Sequence, residues 1–199
     1  MQILNHYIEN LKRFAKIKIS FKLRLVVSLN HRLNKANKSL ELLDLSQNKI
    51  GGECTSQIYQ AIGDNVSIRN VNLSRNNFSD ESGLLLAISL KKNVYMQGFD
   101  ISGSLFSSKT CIAISDSLKS NSSLTELKME NCKLDAECLE SLLKHASEYE
   151  SLEVLDLKNN FLNDKSTLEV LKNLEKIEDF KLKKIFIDVI YFKFESTFL

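Results

Sequence analysis

Apolar residues along this chain fall at a spacing of three, then two, then five, and the whole set recurs. Leu40, Leu43, Leu45 and Ile50 are followed 28 residues later by Ile68, Val71, Leu73 and Phe78. The same step then reaches Met96, Phe99, Ile101 and Phe106, next Leu124, Leu127, Met129 and Leu134, and last Leu152, Leu155, Leu157 and Leu162. A helix repeats its apolar positions every three or four residues and a plain strand every second one, so each set reads as a short strand ending in a sharp turn. Between the sets, Ile58, Leu86, Ile114 and Leu142 recur at the same period, as do Ile62, Leu90, Leu118 and Ala146, with helical spacing between them. Asp135 is placed to cap one such helix, with Asp80 and Asp164 in similar places. One unit is therefore a strand, a turn, a helix and a return. Five copies without an insertion predict a repeat protein.

Each unit carries one small or polar residue between its apolar positions: Asn48, Asn76, Ser104, Cys132 and Asn160. The resulting pattern, L-x-x-L-x-L-x-x-N/C-x-L followed by a helix, resembles the leucine-rich repeat in its ribonuclease-inhibitor-like variety. The Ran GTPase-activating proteins look similar, having this same repeat type. "LDLSQNKIGGE" (43–53) and "VNLSRNNFSDE" (71–81) carry the match most closely, and the third copy departs from it at Ser104. The resemblance implies an α/β fold: a right-handed solenoid bent into a horseshoe arc, with parallel strands on the concave face and helices on the convex face. It also implies a role for the asparagines. Sharp turns leave backbone N–H and C=O groups without a sheet partner, and an amide side chain both donates and accepts. Losing one such asparagine is expected to cost ~1–3 kcal/mol.

A solenoid exposes its core at both ends unless it is capped. Residues 1–38 read as a basic N-terminal cap containing a degenerate repeat. It has a leading helix near 3–13, a faint strand at Phe14, Ile17 and Ile19, and a helix in "LRLVVSLNHRL". Five repeats starting near 39, 67, 95, 123 and 151 fill residues 39–176. Residues 177–199 read as a degenerate sixth strand in "IEDFKL" (Ile177, Phe180, Leu182) followed by the apolar tail "KIFIDVIYFKFESTFL". An uncovered apolar strand edge invites pairing, so the tail either folds back as a cap, the favoured reading, or meets a partner.

Charge adds one asymmetry. The net charge of +2 makes no case for nucleic acid, but residues 1–38 carry +8 and the remainder −6. Lys12, Arg13, Lys16, Lys18, Lys22 and Arg24 form a candidate basic head for an acidic surface; the alternative is a solvated cap face. A basic, acid-poor head also fits a mitochondrial presequence as a minor reading, against a cytoplasmic and cytoskeletal or ciliary expectation. No apolar run predicts a membrane span. With no secretory signal legible, Cys54, Cys111, Cys132 and Cys138 read as reduced thiols, and the N-x-[ST] sequences at Asn37, Asn65, Asn77 and Asn121 as idle.

Catalytic chemistry finds little support. His6, His31 and His145 share no metal-ligand spacing, and His145 reads as packed. Cys132 and Cys138 fit no zinc pattern, while Cys54 and Cys138 occupy equivalent helix positions and so read as core. No phosphate-binding, dinucleotide, metalloprotease or hydrolase motif is present, and no cofactor or metal is expected. The strand residues between the buried leucines offer a surface instead. These are Leu42, Asp44 and Ser46; Asn70, Asn72 and Ser74; Gly98, Asp100 and Ser102; Glu126, Lys128 and Glu130; and Val154, Asp156 and Lys158. The face is mildly acidic and favours a basic protein surface over a phosphate backbone. Three readings stay open. The first is a non-enzymatic protein–protein interaction module or scaffold using this face and the solenoid ends, with a protein partner and no small-molecule substrate. The second is a structural subunit of a large assembly such as a ciliary axoneme or cytoskeletal complex. The third, ranked last, is a GTPase-activating protein with Arg75 as a charge-stabilising arginine.

Overall fold

The computed structural model describes residues 14–16, 38–162, 165–174, 181–187 and 190–193. One sheet runs through the molecule in chain order: β1 (Phe14–Lys16), β2 (Leu42–Asp44), β3 (Asn70–Asn72), β4 (Gly98–Asp100), β5 (Glu126–Lys128), β6 (Val154–Asp156), β7 (Lys184–Ile187) and β8 (Ile190–Lys193). Among the described residues, helices follow five of the strands: α1 (Glu53–Asp64), α2 (Asp80–Lys92), α3 (Ser108–Lys119), α4 (Ala136–Leu143) and α5 (Lys165–Leu174). A 3-10 turn at Ala146–Glu148 extends the short α4. Consecutive helices pack side by side, as consecutive strands pair.

The register between neighbouring strands is the sequence period itself. Leu43 pairs with Val71, Val71 with Phe99, Phe99 with Leu127 and Leu127 with Leu155, all in parallel. The row Leu45, Leu73, Ile101, Met129 and Leu157 is fully buried in every coil. This burial holds the architecture, because each coil completes the apolar wall of the next. Chain reversal after each strand needs a left-handed residue, and one recurs at the same place: Gln47, Arg75, Gly103, Asn131 and Asn159 all have φ between 52° and 75°. The backbone N–H groups of the first four donate to the following coil at 2.7–3.0 Å, so the ladder continues past the strand ends.

Three expectations shift. The first strand is Phe14–Lys16, with Ala15 opposite Leu43 where the spacing of Phe14, Ile17 and Ile19 gives that place to Ile17; Ile17, Ile19, the leading helix and "LRLVVSLNHRL" lie outside the described residues. The sixth coil strand is Lys184–Ile187 rather than "IEDFKL". Leu182, Ile185 and Ile187 carry the three-then-two spacing and are all buried, and Ile185 pairs with Leu155 after a step of 30 residues. The tail folds back, as a strand: β8 runs antiparallel to β7, pairing Ile187 with Ile190 and Ile185 with Phe192. Finally, Asp135 caps α4 as expected, accepting from the Cys138 N–H at 3.0 Å, but Asp80 does not cap α2. Ser79 does, in a reciprocal box with Ser82. Asp164 lies outside the described residues.

Candidate functional site

The turn asparagines occupy the inside of each coil. Asn76 Oδ1 accepts from the N–H groups of Asn48 (3.1 Å) and Ile50 (2.9 Å), and its Nδ2 donates to Leu45 (3.0 Å) and Leu73 (2.7 Å). Asn160 repeats the arrangement on Cys132, Leu134, Met129 and Leu157. Asn48 donates to Leu45 and Ser46. Ser104 reaches only its own coil, through Ile101 at 2.6 Å, and the Cys132 thiol lies 3.6 Å from the Ile101 carbonyl. Both substitutes are fully buried.

A second seam, absent from the sequence reading, runs where the helices return to the strands. Asn93 Nδ2 donates to Ile62 (2.7 Å) and Asn65 (3.0 Å) of the preceding coil, while its Oδ1 accepts from Tyr95 and Met96. Asn121 does the same with Leu90, Asn93, Ser123 and Leu124. Asn65 Oδ1 accepts from Ser67 and Ile68. The fourth position is Tyr149, whose hydroxyl donates to Leu142 O and meets Ser115 Oγ.

The open sheet face is largely spent on the protein itself. Asp44, Asn72, Asp100 and Asp156 each use a side-chain oxygen to accept from the N–H two residues on, at 2.9–3.2 Å. Lys128 pairs with Glu126 and Lys158 with Asp156, both at 3.3 Å, and Lys158 also lies over the Phe186 ring. Glu130 accepts from Asn159. Ser102 Oγ accepts from the Glu130 N–H at 3.1 Å. Ser46 donates to Asp44, and Ser74 Oγ lies on the same half-exposed row. Gly98, expected to face solvent, is buried because Asn70 and Glu126 lean over it; a Cβ there would stand 2.4 Å from Asn70 Oδ1. Of the basic head, Lys16 ends β1, and Lys12, Arg13, Lys18, Lys22 and Arg24 lie outside the described residues.

One place breaks the repeat and shows it outward. Ser67, Ser123 and Ser151 donate from Oγ to the carbonyls of Leu40, Met96 and Leu124, each 27 residues earlier. Tyr95 stands in that row and brings no short hydroxyl. The Arg69 guanidinium replaces it, lying 3.5 Å from Ile68 O, 3.4 Å from Val66 O and 3.3 Å from Tyr95 O. Arg69 also sits 5.4 Å over the Tyr95 ring. Tyr95 is 41% exposed and its neighbour Val94 51%. An exposed ring locked by a stacked arginine loses little entropy on contact, and tyrosine and arginine are the residues that most often dominate protein interfaces. The sequence signal was available: a tyrosine in a register otherwise filled by Ser39, Ser67, Ser123 and Ser151.

Nothing comparable supports catalysis among the described residues. His145 Nδ1 meets Glu148 at 2.7 Å and Nε2 lies 3.8 Å from Asp116. Hydrogen bonds from His145 first, then Lys119, hold the Glu148 carboxyl below its usual range. Arg75 occupies the left-handed turn row, with its side chain exposed and its N–H donating to Ser102 O. No cluster of metal-ligating side chains is found among the described residues, and no helix there is long and apolar enough to cross a membrane.

A family model described as "Leucine Rich repeat" matches residues 36–53 and 64–87. Among solved structures, the chain is similar to leiomodin-1 actin-binding site 2, with a TM-score of 0.66 at 18% identity, covering 76% of this chain and 88% of that one. It is also similar to the C-terminal domain of tropomodulin from Caenorhabditis elegans, with a TM-score of 0.63 at 17% identity, covering 76% and 92%. No curated protein matches it in sequence. At these identities the likeness carries the fold.

Proposed function

Because the chain is a leucine-rich repeat protein, we propose that it is a non-enzymatic protein-binding module of the ribonuclease-inhibitor-like repeat kind, with a cytoskeletal protein as partner. The observation that carries this reading is the exposed Tyr95, held by Arg69 at the one place where the serine row is broken. Stacked coils supply a long rigid surface, which suits recognition of another macromolecule. The open face adds polar complementarity, and the basic head meets acidic surface on the same partner. Support for the partner class comes from the fold shared with leiomodin-1's actin-binding site, so actin is the first partner to test, with a cytoplasmic location to match.

The test measures binding of the full chain to monomeric actin by fluorescence anisotropy and to filaments by co-sedimentation. Tyr95→Ser restores the residue the repeat uses elsewhere, so the variant is expected to melt no lower than the parent. Its affinity is expected to fall about thirtyfold, the weight of a ~2 kcal/mol interface anchor. Unchanged affinity would remove Tyr95 from the surface, and absence of binding to either form would remove actin.

A further inference from the structure

Resting on Tyr95 as the contact residue named above, we propose that Arg69, Val94 and Tyr95 seat a carboxylate side chain and its apolar neighbour from an acidic segment of the partner protein. The guanidinium supplies the charge. Nη1 alone makes the contacts to the protein, with the Val66, Ile68 and Tyr95 carbonyls at 3.3–3.5 Å. These are long for bonds from an ionised donor, which run to about 2.7–2.9 Å. A guanidinium has five N–H donors, and Nε and Nη2 have no protein acceptor among the described residues. No carboxylate there pairs with Arg69 either. The stack on the Tyr95 ring, 5.4 Å from its centroid, uses a face of the guanidinium and leaves the N–H edge for a planar, two-oxygen acceptor.

The surroundings favour an acid. Asp64, the nearest carboxylate in sequence, is engaged by Lys92. Lys91, at the end of α2, is exposed and pairs with no carboxylate among the described residues. The row that holds Val66 and Val94 starts at Lys38, which is exposed. An incoming carboxylate thus meets uncompensated positive charge and a bidentate seat. Beside that seat, Val94 and Tyr95 present apolar surface, so the acid is recognised together with an apolar residue. Phosphate groups are usually held by clusters of arginines, whereas Arg69 stands alone and suits the single charge of a carboxylate.

The probe is a fluorescein-labelled peptide with serine at every second position and glutamate alternating with leucine at the others. Carboxylates and apolar groups then share one face of an extended chain. Fluorescence anisotropy measures its binding to the full chain, beside versions with glutamine or phosphoserine in place of glutamate. The glutamate peptide is expected to bind with a Kd of about 0.1 mM, and the glutamine peptide about tenfold more weakly, the weight of a hydrogen bond to a charged group. Against Arg69→Gln the two peptides are expected to bind alike, because either change removes the same contact. Arg69→Lys keeps the charge without the fork and is expected to restore only part of the preference.

Equal affinity of the parent chain for the glutamate and glutamine peptides would overturn the proposal. So would a glutamate preference that survives in Arg69→Gln, a phosphoserine peptide more than about tenfold tighter, or no binding up to about 1 mM. Actin takes no part in these measurements, so failure to bind actin leaves the acid preference standing. Loss of that preference while Tyr95→Ser still weakens peptide binding strikes the acidic partner alone. A Tyr95→Ser chain that binds the glutamate peptide as tightly as the parent removes the contact residue itself.

Discussion

The coils are joined by two polar seams that differ in how they show themselves. The turn seam (Asn48, Asn76, Ser104, Cys132, Asn160) follows each strand; the return seam (Asn65, Asn93, Asn121, Tyr149) precedes the next. Asn76 and Asn93 do related physical work: each accepts from two N–H groups and donates to two carbonyls, those of Asn76 in its own and the preceding coil, those of Asn93 both in the preceding coil. The seams differ in their substitutes. Ser104 is small and gives up the cross-coil donor, Cys132 keeps a weak thiol contact to Ile101 O of the preceding coil, and Tyr149 reaches a helix carbonyl and Ser115 through a ring. A buried polar seam thus tolerates different chemistry, provided that backbone groups still find partners.

The sharpest way to break this equivalence is to delete both amides. Asn76→Ala and Asn93→Ala are each expected to cost ~2–3 kcal/mol, since each strands several buried backbone groups. Chemical denaturation of the two variants measures it. A cost under about 1 kcal/mol for Asn93→Ala alone would make the return seam incidental to stability. Next in size is Ser104→Ala, which removes a single bond to Ile101 and is expected to cost ~1 kcal/mol. A loss as large as that of Asn76→Ala would show that Ser104 serves more than its own coil.

The smallest effect concerns a bridge outside both seams. Asp80 Oδ1 accepts from the Ser107 N–H and from Thr110 Oγ1 at 2.8 Å, tying α2 to α3. Partial burial raises its pKa, but the bonds from Ser107 and Thr110, with nearby Lys109, outweigh it and the net shift is downward from 3.8. A carboxyl depressed in the folded state contributes stability that is present above the unfolded value and lost as pH falls through the folded one. Asp80→Asn is therefore expected to lower Tm slightly at neutral pH, with the difference from the parent vanishing below the carboxyl's folded pKa. A difference that stays constant down to strongly acid pH would show that the carboxylate charge is not what the bridge uses.

The period, the buried row and the turn seam were legible because their residues are apolar or sit at a fixed offset from apolar ones. The return seam escaped because Asn65 and Asn121 resemble glycan acceptors and lie at helix ends, where no apolar pattern marks them. Asp44, Asp100 and Asp156, on the candidate binding face, recur in register, and each also accepts from the N–H two residues on. Recurrence signals scaffold on either side of a sheet. Tyr95 illustrates the converse, since only a departure from a row distinguishes it. The last strand stands later because its coil is two residues longer, while "IEDFKL" shows the same three-then-two spacing five residues earlier.

Burial of the return amides bears on how the chain can be produced. Asn65 and Asn121, each 1% exposed, sit in acceptor sequences that folding seals within the wall between coils. Oligosaccharyltransferase acts on nascent chain, ahead of that closure. Routed through a secretory expression host, the polypeptide would carry sugars on amides that must later enter the interior, and those molecules would fail to stack. Asn→Gln replacement, the usual remedy, would lengthen the side chain inside a full interior, so a host without such glycosylation is the sounder choice.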